Sequence, residues 1–179
     1  MILAYMMKRF NFAFMNTQQN EIVIRPIEEK DNAAIAKIIR ESLKEFGAAK
    51  QGTVYYDPTT DALFQLFQKE RSTYFVAERN GTLVGGGGIY PTDGLPLDTC
   101  ELVKMYVHRD SRGMGLGKKL IEKSLAFAKE AGYKHVYLET MPELKQALDV
   151  YAKFGFHYLQ GPMGNSGHHG CSLWMLKDV

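Results

Sequence analysis

The segment Arg112-Gly113-Met114-Gly115-Leu116-Gly117 is the feature that most constrains how this chain can fold. A strand-like run at residues 99–108 leads into it, and an amphipathic helical pattern at residues 118–131 follows. Alternate glycines let the backbone take left-handed angles and approach a ligand closely. A helix that starts here presents unpaired amides and the positive end of its dipole, and Arg112 and Lys118 add positive charge. The sequence therefore predicts a strand–turn–helix unit that binds an anion such as a diphosphate.

The spacing of these glycines separates the loop from two other phosphate-binding motifs. No Gly-Lys-Ser/Thr sequence closes it, so it is not a P-loop. Its spacing is GxGxG, which differs from the GxGxxG of dinucleotide-binding folds, and it comes late in the chain. Considered alone, the loop leaves three interpretations open: a diphosphate site for one cofactor, a site for another nucleotide, or a glycine-rich turn that only joins a strand to a helix.

Hydrophobic periodicity over residues 21–179 predicts a single domain with the order strand, two helices, three strands, helix, strand, helix and two strands. Asn80-Gly81 is a favoured two-residue turn between strand-like residues 73–78 and 82–90, so this pair is predicted to form a hairpin. Strands followed by helices in the second half allow parallel neighbours around the glycine loop. The predicted fold class is α/β, a mixed sheet with helices on its faces.

Four consecutive glycines, Gly85 to Gly88, lie inside the second strand of this hairpin. Glycine weakens a strand, and a run of it often marks a bulge or a place where another group approaches the backbone closely. That is one interpretation. The other is tight packing of a helix across a bare sheet surface.

Residues 1–20 form an N-terminal extension of different character. The stretch from Met1 to Phe14 is apolar but carries Lys8 and Arg9 in its middle. It is shorter than the roughly 20 apolar residues of a membrane helix, and its charge is not placed as in a secretory signal. Two interpretations remain: an upstream translation start, or an extra strand or helix that contacts a second copy in a homodimer.

Charge and cysteine content argue against several function classes. A formal net charge of +2 gives no reason to expect nucleic acid or an anionic membrane as the main partner. Cys100 and Cys171 lie far apart and in no CxxC pattern, which argues against a disulfide framework or a structural zinc site. His168 and His169 near Cys171 fit no common zinc spacing, so we expect no metal. We expect a cytoplasmic protein in a reducing compartment.

Residues 101–118 (ELVKMYVHRDSRGMGLGK) resemble the acyl-CoA-binding motif of the GNAT superfamily of N-acetyltransferases. That motif reads Arg or Gln, two residues, Gly, one residue, then Gly or Ala, and here it starts at Arg112. Downstream, residues 147–156 (ALDVYAKFGF) are similar to a second family signature, in which a tyrosine lies on a helix just before a Gly-Phe turn. In element order the resemblance extends over residues 21–177.

The resemblance implies a mostly antiparallel sheet that splays apart between two central parallel strands, residues 99–108 and 134–140. It also implies acetyl-CoA as co-substrate. The residues implied to hold its diphosphate through backbone amides are Arg112, Gly113, Met114, Gly115, Leu116, Gly117 and Lys118. The backbone of Met105 and Val107 would pair with the pantetheine arm like an added strand. An amide near Met105 or Tyr106 would bind the developing oxyanion.

Two side chains are implied to move protons. Tyr151 matches the family tyrosine that protonates the departing thiolate, a role suited to a phenol of pKa ~10. Its alternative is a core tyrosine. Glu101 lies where some family members carry a catalytic glutamate, which makes it the candidate general base. The alternatives for Glu101 are an ion pair with Lys104 or Arg109, solvation at a strand end, or a route through ordered water.

Tyr151 and Glu101 together favour an enzyme that transfers acetyl by direct attack in a ternary complex. The alternative is a non-catalytic acyl-CoA-binding regulatory module, which needs neither residue. The loop of residues 161–170 is predicted to border the pocket for the acetyl acceptor, although it could equally be a solvated hairpin loop. The candidate acceptor-binding residues are Tyr90, Glu139, Asn165 and His168. The implied acceptor is a primary amine of a small molecule or peptide, and fold analogy does not narrow it further.

Overall fold

A seven-stranded sheet forms the centre of the protein in the computed structural model, which describes residues 21–179. The strands are β1 (Ile22–Pro26), β2 (Thr73–Arg79), β3 (Thr82–Tyr90), β4 (Thr99–Val107), β5 (His135–Thr140), β6 (His157–Tyr158) and β7 (Leu173–Asp178). The helices are α1 (Asn32–Glu45), α2 (Leu63–Leu66), α3 (Leu116–Glu130) and α4 (Lys145–Lys153). The order of elements predicted from the sequence is confirmed. Both interpretations of the N-terminal extension concern residues outside the described range.

The strands lie in the order β1-β2-β3-β4-β5-β7-β6, and every pair is antiparallel except β4 with β5. The predicted hairpin between β2 and β3 turns at Asn80 and Gly81, whose φ angles of 52° and 75° are left-handed. The predicted mixed α/β fold with a mostly antiparallel sheet is therefore confirmed.

Alternate residues of β2 show how helices cover both faces of the sheet. Tyr74 and Val76 belong to the hydrophobic cluster that contains the buried residues of α1. Phe75 and Ala77 belong to the opposite cluster, which α3 completes with Leu116 and Leu120. Because successive side chains of a strand point to opposite faces, α1 and α3 lie on opposite faces of the sheet.

The glycine run of β3 is packed against side chains from neighbouring segments. A Cβ on Gly86 would lie 2.6 Å from the Tyr74 ring, and one on Gly88 would lie 2.8 Å from the Phe67 ring. A Cβ on Gly87 would overlap the side chain of Met105. The first interpretation, a close approach of other groups to the backbone, is thus correct, and side chains of neighbouring segments make that approach.

A β-bulge lies opposite this run, in β4. Gly86 pairs with Tyr106 and Gly88 pairs with Val103, so two residues of β4, Lys104 and Met105, oppose a single glycine. Lys104 takes a φ of 52°, which is unusual for a residue other than glycine. The Tyr74 hydroxyl donates a hydrogen bond to the Lys104 carbonyl at 2.8 Å and so holds the bulge from behind.

The two parallel strands part soon after they meet. The ladder between β4 and β5 contains only three pairs, and the last joins Glu101 to Tyr137. Residues 102–107 of β4 continue along β3, while residues 138–140 of β5 continue along β7. The predicted splay between these strands is therefore present, and it opens at Glu101. No helix in the described part of the chain is long and apolar enough to cross a membrane.

Candidate active site

The glycine loop enters α3 with unpaired amides. Gly113 and Gly115 have φ angles of 76° and 75°, which turn the chain from β4 into the helix without a side-chain clash. Within residues 21–179, no group accepts a hydrogen bond from the amides of residues 113–118. A Cβ on Gly113, Gly115 or Gly117 would meet no atom within 4 Å. The loop is thus an open cradle of donors at a positive helix end, which fits a diphosphate.

The Arg112 side chain contacts other parts of the protein rather than projecting freely from the glycine loop. Its guanidinium donates to both carboxylate oxygens of Glu45 at 2.7 and 2.9 Å and to the Val107 carbonyl at 3.0 Å, and it stacks over Phe46. Its own amide donates to the Arg109 carbonyl at 3.2 Å. The Arg112 charge near the loop is therefore already paired with a carboxylate of the protein. This bidentate pair fastens the loop to the end of α1.

A cleft of about 350 Å³ runs from this loop into the opening between β4 and β5. The predicted cofactor residues that line it are Met105, Tyr106, Val107, Arg112, Gly113, Gly115, Leu116, Gly117 and Lys118. Met114 is not among them, since its sulfur lies 3.2 Å from a guanidinium nitrogen of Arg79 and its side chain packs against the sheet. Both predicted catalytic residues, Glu101 and Tyr151, also line this cleft.

Tyr151 lies on α4 with its ring buried and packed edge-on against Phe156, 5.8 Å between centroids. Its hydroxyl makes no hydrogen bond with the described residues, although the side chain faces the cleft. Burial raises the pKa of Tyr151 well above its ordinary value. The phenol is therefore fully protonated at neutral pH, as a proton donor must be. Tyr106, on β4, is a second tyrosine of this cleft, partly buried, and burial raises its pKa.

A second cleft, of about 460 Å³, lies on the other side of Glu101. It contains three of the predicted acceptor residues, Tyr90, Asn165 and His168. The residues common to both clefts are Thr53, Glu101, Val103, Lys104 and His168. Groups bound in the two clefts would therefore meet beside Glu101.

Glu101 is almost completely enclosed, with 3% of its surface exposed. Burial raises its pKa to about 7, and the nearby charge of Glu139 raises it too, while a hydrogen bond from the Thr92 hydroxyl and the charges of His168 and Lys104 oppose the rise. The predicted alternative of an ion pair is wrong, because Lys104 pairs with Asp57 and Arg109 pairs with Asp110. A carboxyl of pKa near 7 is suited to general-base work at neutral pH.

Glu139 and His168 lie beside Glu101, so that one ligand atom of each residue falls within 4.8 Å of the others. The Glu139 carboxylate accepts from the Tyr137 hydroxyl at 2.9 Å and the Ser166 hydroxyl at 2.7 Å. The His168 ring is 3.2 Å from Asp57. This grouping was not predicted as a metal site, and each of its three members already has a protein partner.

Sequence reasoning missed Asp57 and Lys104. The Lys104 ammonium, on the bulge of β4, is buried and donates to the Asp57 carboxylate at 2.6 Å. That carboxylate also accepts from the amide of Thr59 at 2.8 Å and contacts His168. Burial alone would raise the pKa of Asp57, but these donors and the Lys104 charge hold it well below its usual range. The Asp57-Pro58 pair before a helical turn was the one available signal, and it indicates a cap rather than a site.

Parted parallel strands, a loop of free amides and a buried carboxyl between two clefts are what an acyl-transfer enzyme requires. The sequence pattern of the Acetyltransferase (GNAT) family matches residues 35–156, and the chain belongs to this family. An uncharacterized N-acetyltransferase of Escherichia coli, YjgM, is 40% identical over 158 residues, 88% of this chain and 95% of that protein. An IAA acetyltransferase of Azospirillum brasilense is 34% identical over 116 residues, 64% of this chain and 73% of that protein.

Solved structures agree on the fold. A GNAT-family acetyltransferase of Staphylococcus aureus superposes with a TM-score of 0.78 at 20% identity, covering 88% of this chain and 99% of that one. The YncA protein of Salmonella typhimurium, solved with acetyl-CoA, gives a TM-score of 0.68 at 20% identity, with coverages of 88% and 94%. Since both relatives are named as acetyltransferases, an enzyme is supported over a non-catalytic acyl-CoA-binding module.

Proposed function

We propose that this protein transfers the acetyl group of acetyl-CoA to a primary amine of a small molecule or peptide by direct attack in a ternary complex. The observation that carries the proposal is Glu101, a buried carboxyl with a pKa of about 7 between two clefts. The cleft that contains the glycine loop receives the donor. The cleft that contains Tyr90 and Asn165 receives the amine.

On the donor side, the residues fit a coenzyme A arm. The amides of residues 113–118 would hold the diphosphate, because they have no other acceptor within the described range. The pantetheine would lie along residues 102–107 of β4, whose edge toward β5 has no ladder partner. An amide at the bulge, near Met105 or Tyr106, would stabilise charge on the thioester oxygen.

Two groups of the chain, Glu101 and Tyr151, then divide the proton chemistry. Glu101 in its ionised form accepts a proton from the ammonium form of the acceptor, which leaves a neutral amine to attack. Tyr151 donates its proton to the sulfur that departs. Glu139 and His168 lie beside Glu101 and contact the amine. Thr92, which donates a hydrogen bond to Glu101, orients the carboxyl toward this junction.

Direct attack is supported by the state of the cysteines. Cys171 lines the donor cleft, but burial raises the pKa of its thiol to about 12, so the nucleophilic thiolate is scarce. We expect Cys171→Ala to keep kcat within about threefold, because the thiol takes no part in transfer. Intact mass measured after incubation with acetyl-CoA alone should show no acetylated protein. Stable acetylation that disappears in Cys171→Ala would instead mean a covalent intermediate.

Gly117 gives a test of the donor site that is separate from folding. Its φ is not left-handed and its Cβ position is open, so Gly117→Val introduces no clash within the protein. We expect acetyl-CoA affinity to fall on the order of tenfold to hundredfold, the loss of one charge-assisted contact. Calorimetric titration measures the affinity, and thermal unfolding checks the fold. Gly161→Ala is the matched control, since its Cβ position is also open but lies outside both clefts. Unchanged affinity in Gly117→Val would remove the loop from the donor site.

An acetyl-transfer screen over a library of primary amines, read as released thiol, tests the function as a whole. Thiol release above the acceptor-free rate supports the proposal. A protein that is stabilised by acetyl-CoA but transfers to no amine would fit the regulatory module instead. Stabilisation by NAD or ATP, with none by acetyl-CoA, would indicate a nucleotide-binding module.

We also propose that the protein is located in the cytoplasm and that it forms a homodimer. Two free cysteines, Cys100 and Cys171, are compatible with a reducing compartment. Fractionation of cells that express a tagged protein tests the location, and sedimentation of the purified full chain tests the assembly.

A further inference from the structure

Lys104 is the only lysine or arginine among the described residues that line the second cleft. Its side chain is 3% exposed, and its ammonium is 2.6 Å from the Asp57 carboxylate and 3.4 Å from the Thr60 hydroxyl. The cation that would otherwise receive an anionic group of an acceptor is therefore already paired.

Asp57 is held in the geometry that this pairing requires. One carboxylate oxygen accepts from the amide and the hydroxyl of Thr59 at 2.8 and 2.7 Å. The other oxygen faces Lys104 and the His168 ring, 3.2 Å away. With four donors around it, this carboxylate stays ionised and keeps its place beside the ammonium.

The remaining charges around the cleft are mainly acidic. Glu101 and Asp93 line it, and the predicted acceptor residue Glu139 lines the donor cleft beside Glu101, where it accepts a hydrogen bond from Ser166. The Lys69 ammonium, 3.4 Å from Asp93, is exposed and does not line the cleft. An acceptor in this cleft therefore meets carboxylates, while the one lining lysine, Lys104, is already paired. The electrostatic field of these carboxylates attracts cations and repels anions.

We infer that the acceptor is a cationic primary amine without a carboxylate next to the amine, so that free α-amino acids are excluded. The inference rests on the proposed function and narrows its acceptor. In an α-amino acid the carboxylate is only two bonds from the attacking nitrogen, so it would lie against Glu101 and Glu139. A side-chain amine of a peptide, or a biogenic amine formed by decarboxylation, carries no such group.

Matched acceptors test this directly on the full-length protein. The set compares tyrosine, tyrosine methyl ester and tyramine, and likewise phenylalanine, phenylalanine methyl ester and phenethylamine, by thiol release at saturating acetyl-CoA. We expect the amine and the ester to exceed the free acid in kcat/KM by about tenfold or more, the effect of one like charge at short range. Equal or faster turnover of the free acid would overturn the inference. A kcat/KM for the ester as low as that for the acid would also overturn it, because the protein would then discriminate against bulk rather than against charge.

Substitutions of Asp57 and of Lys104 should change the preference for the amine over the free acid in opposite directions. Asp57→Asn leaves Lys104 without its carboxylate, so an acceptor carboxylate becomes its partner, and the preference of amine over acid should shrink several-fold. Lys104→Met removes the cation and keeps the acidic groups, so the preference should grow. Glu143→Gln is the control, since it removes one acidic charge that lies outside both clefts and leaves Lys104 paired.

The outcomes separate this inference from the function on which it rests. An unchanged preference in both Asp57→Asn and Lys104→Met would overturn the inference, even where thiol release continues. If Asp57→Asn does not fold, the Lys104→Met variant and the matched acceptors still decide. If no amine of any kind gives thiol release, the proposed function itself is contradicted.

Discussion

Replacement of Glu101 by glutamine should lower kcat/KM by about two to four orders of magnitude, the range of one general base, while acetyl-CoA affinity stays unchanged. Glutamine keeps the shape and can still accept the hydrogen bond from Thr92, but it takes no proton from the acceptor. Steady-state kinetics with varied acceptor at saturating acetyl-CoA measure kcat/KM, and calorimetric titration measures the affinity for acetyl-CoA. In the native protein, kcat/KM should rise with pH and level off above about 7, where Glu101 becomes ionised.

The same substitution should stabilise the protein at high pH. Burial raises the pKa of Glu101 from 4.5 to about 7, so the folded state holds this proton more tightly than the unfolded state does. Stability from this group is complete below pH 4.5 and is lost as the pH rises through about 7. Glutamine never ionises, so Glu101→Gln should exceed the native protein in free energy of unfolding by roughly 3 kcal/mol at pH 9.

Urea denaturation at pH 5 and at pH 9 measures this difference. Glu143→Gln is the matched control, because its carboxylate pairs with Lys50 outside both clefts and should affect neither activity nor alkaline stability appreciably. Loss of stability together with activity at both pH values would mean that Glu101 is a structural group. Activity retained by Glu101→Gln would favour a route through ordered water.

Replacement of Tyr151 by phenylalanine should lower kcat by about a hundredfold or more, since a positioned acid contributes about that much. The ring packing against Phe156 is kept, and the lost hydroxyl has no hydrogen bond within the described range. We therefore expect the acetyl-CoA dissociation constant and the melting temperature to stay near those of the native protein. Single-turnover kinetics with calorimetric titration separate the chemical step from binding.

Tyr106→Phe is the control for this experiment, because Tyr106 is also a tyrosine of the donor cleft whose pKa burial raises. A smaller effect there would assign the proton to Tyr151. Equal losses of turnover and acetyl-CoA affinity in Tyr151→Phe would point to packing. Full activity in Tyr151→Phe with a large loss in Tyr106→Phe would move the proton donor to β4.

Local chemistry explains why much of the architecture was predictable. The Asn80-Gly81 turn and the glycine loop act over a few residues, because each requires backbone angles that glycine and asparagine tolerate. Hydrophobic periodicity then located the helices and strands. The resemblance to the GNAT motif supplied the splay between β4 and β5, a relation between distant segments that periodicity does not contain.

Side-chain partners were less predictable. Arg112 was expected to add positive charge near the loop, but its partner is Glu45 of α1, which lies 67 residues earlier in the chain and which the sequence did not indicate. Glu101 was expected to choose between an ion pair and a catalytic role. Lys104 pairs with Asp57 instead, and this leaves Glu101 buried without a cation of its own.

The sequence by itself determined the glycine-rich turn into α3 and the order of elements, and it singled out Tyr151 and Glu101 as candidates, because backbone preferences and short motifs depend on residues close together in the chain. Only the tertiary structure decided the pKa of Glu101 and the pairing of Lys104. Asp57 lies 47 residues from Lys104 and 111 from His168. Burial and charge depend on which groups the fold brings within a few ångströms. The acidic field expected to select the acceptor therefore exists only in the folded protein, where Glu101 lies between the two clefts.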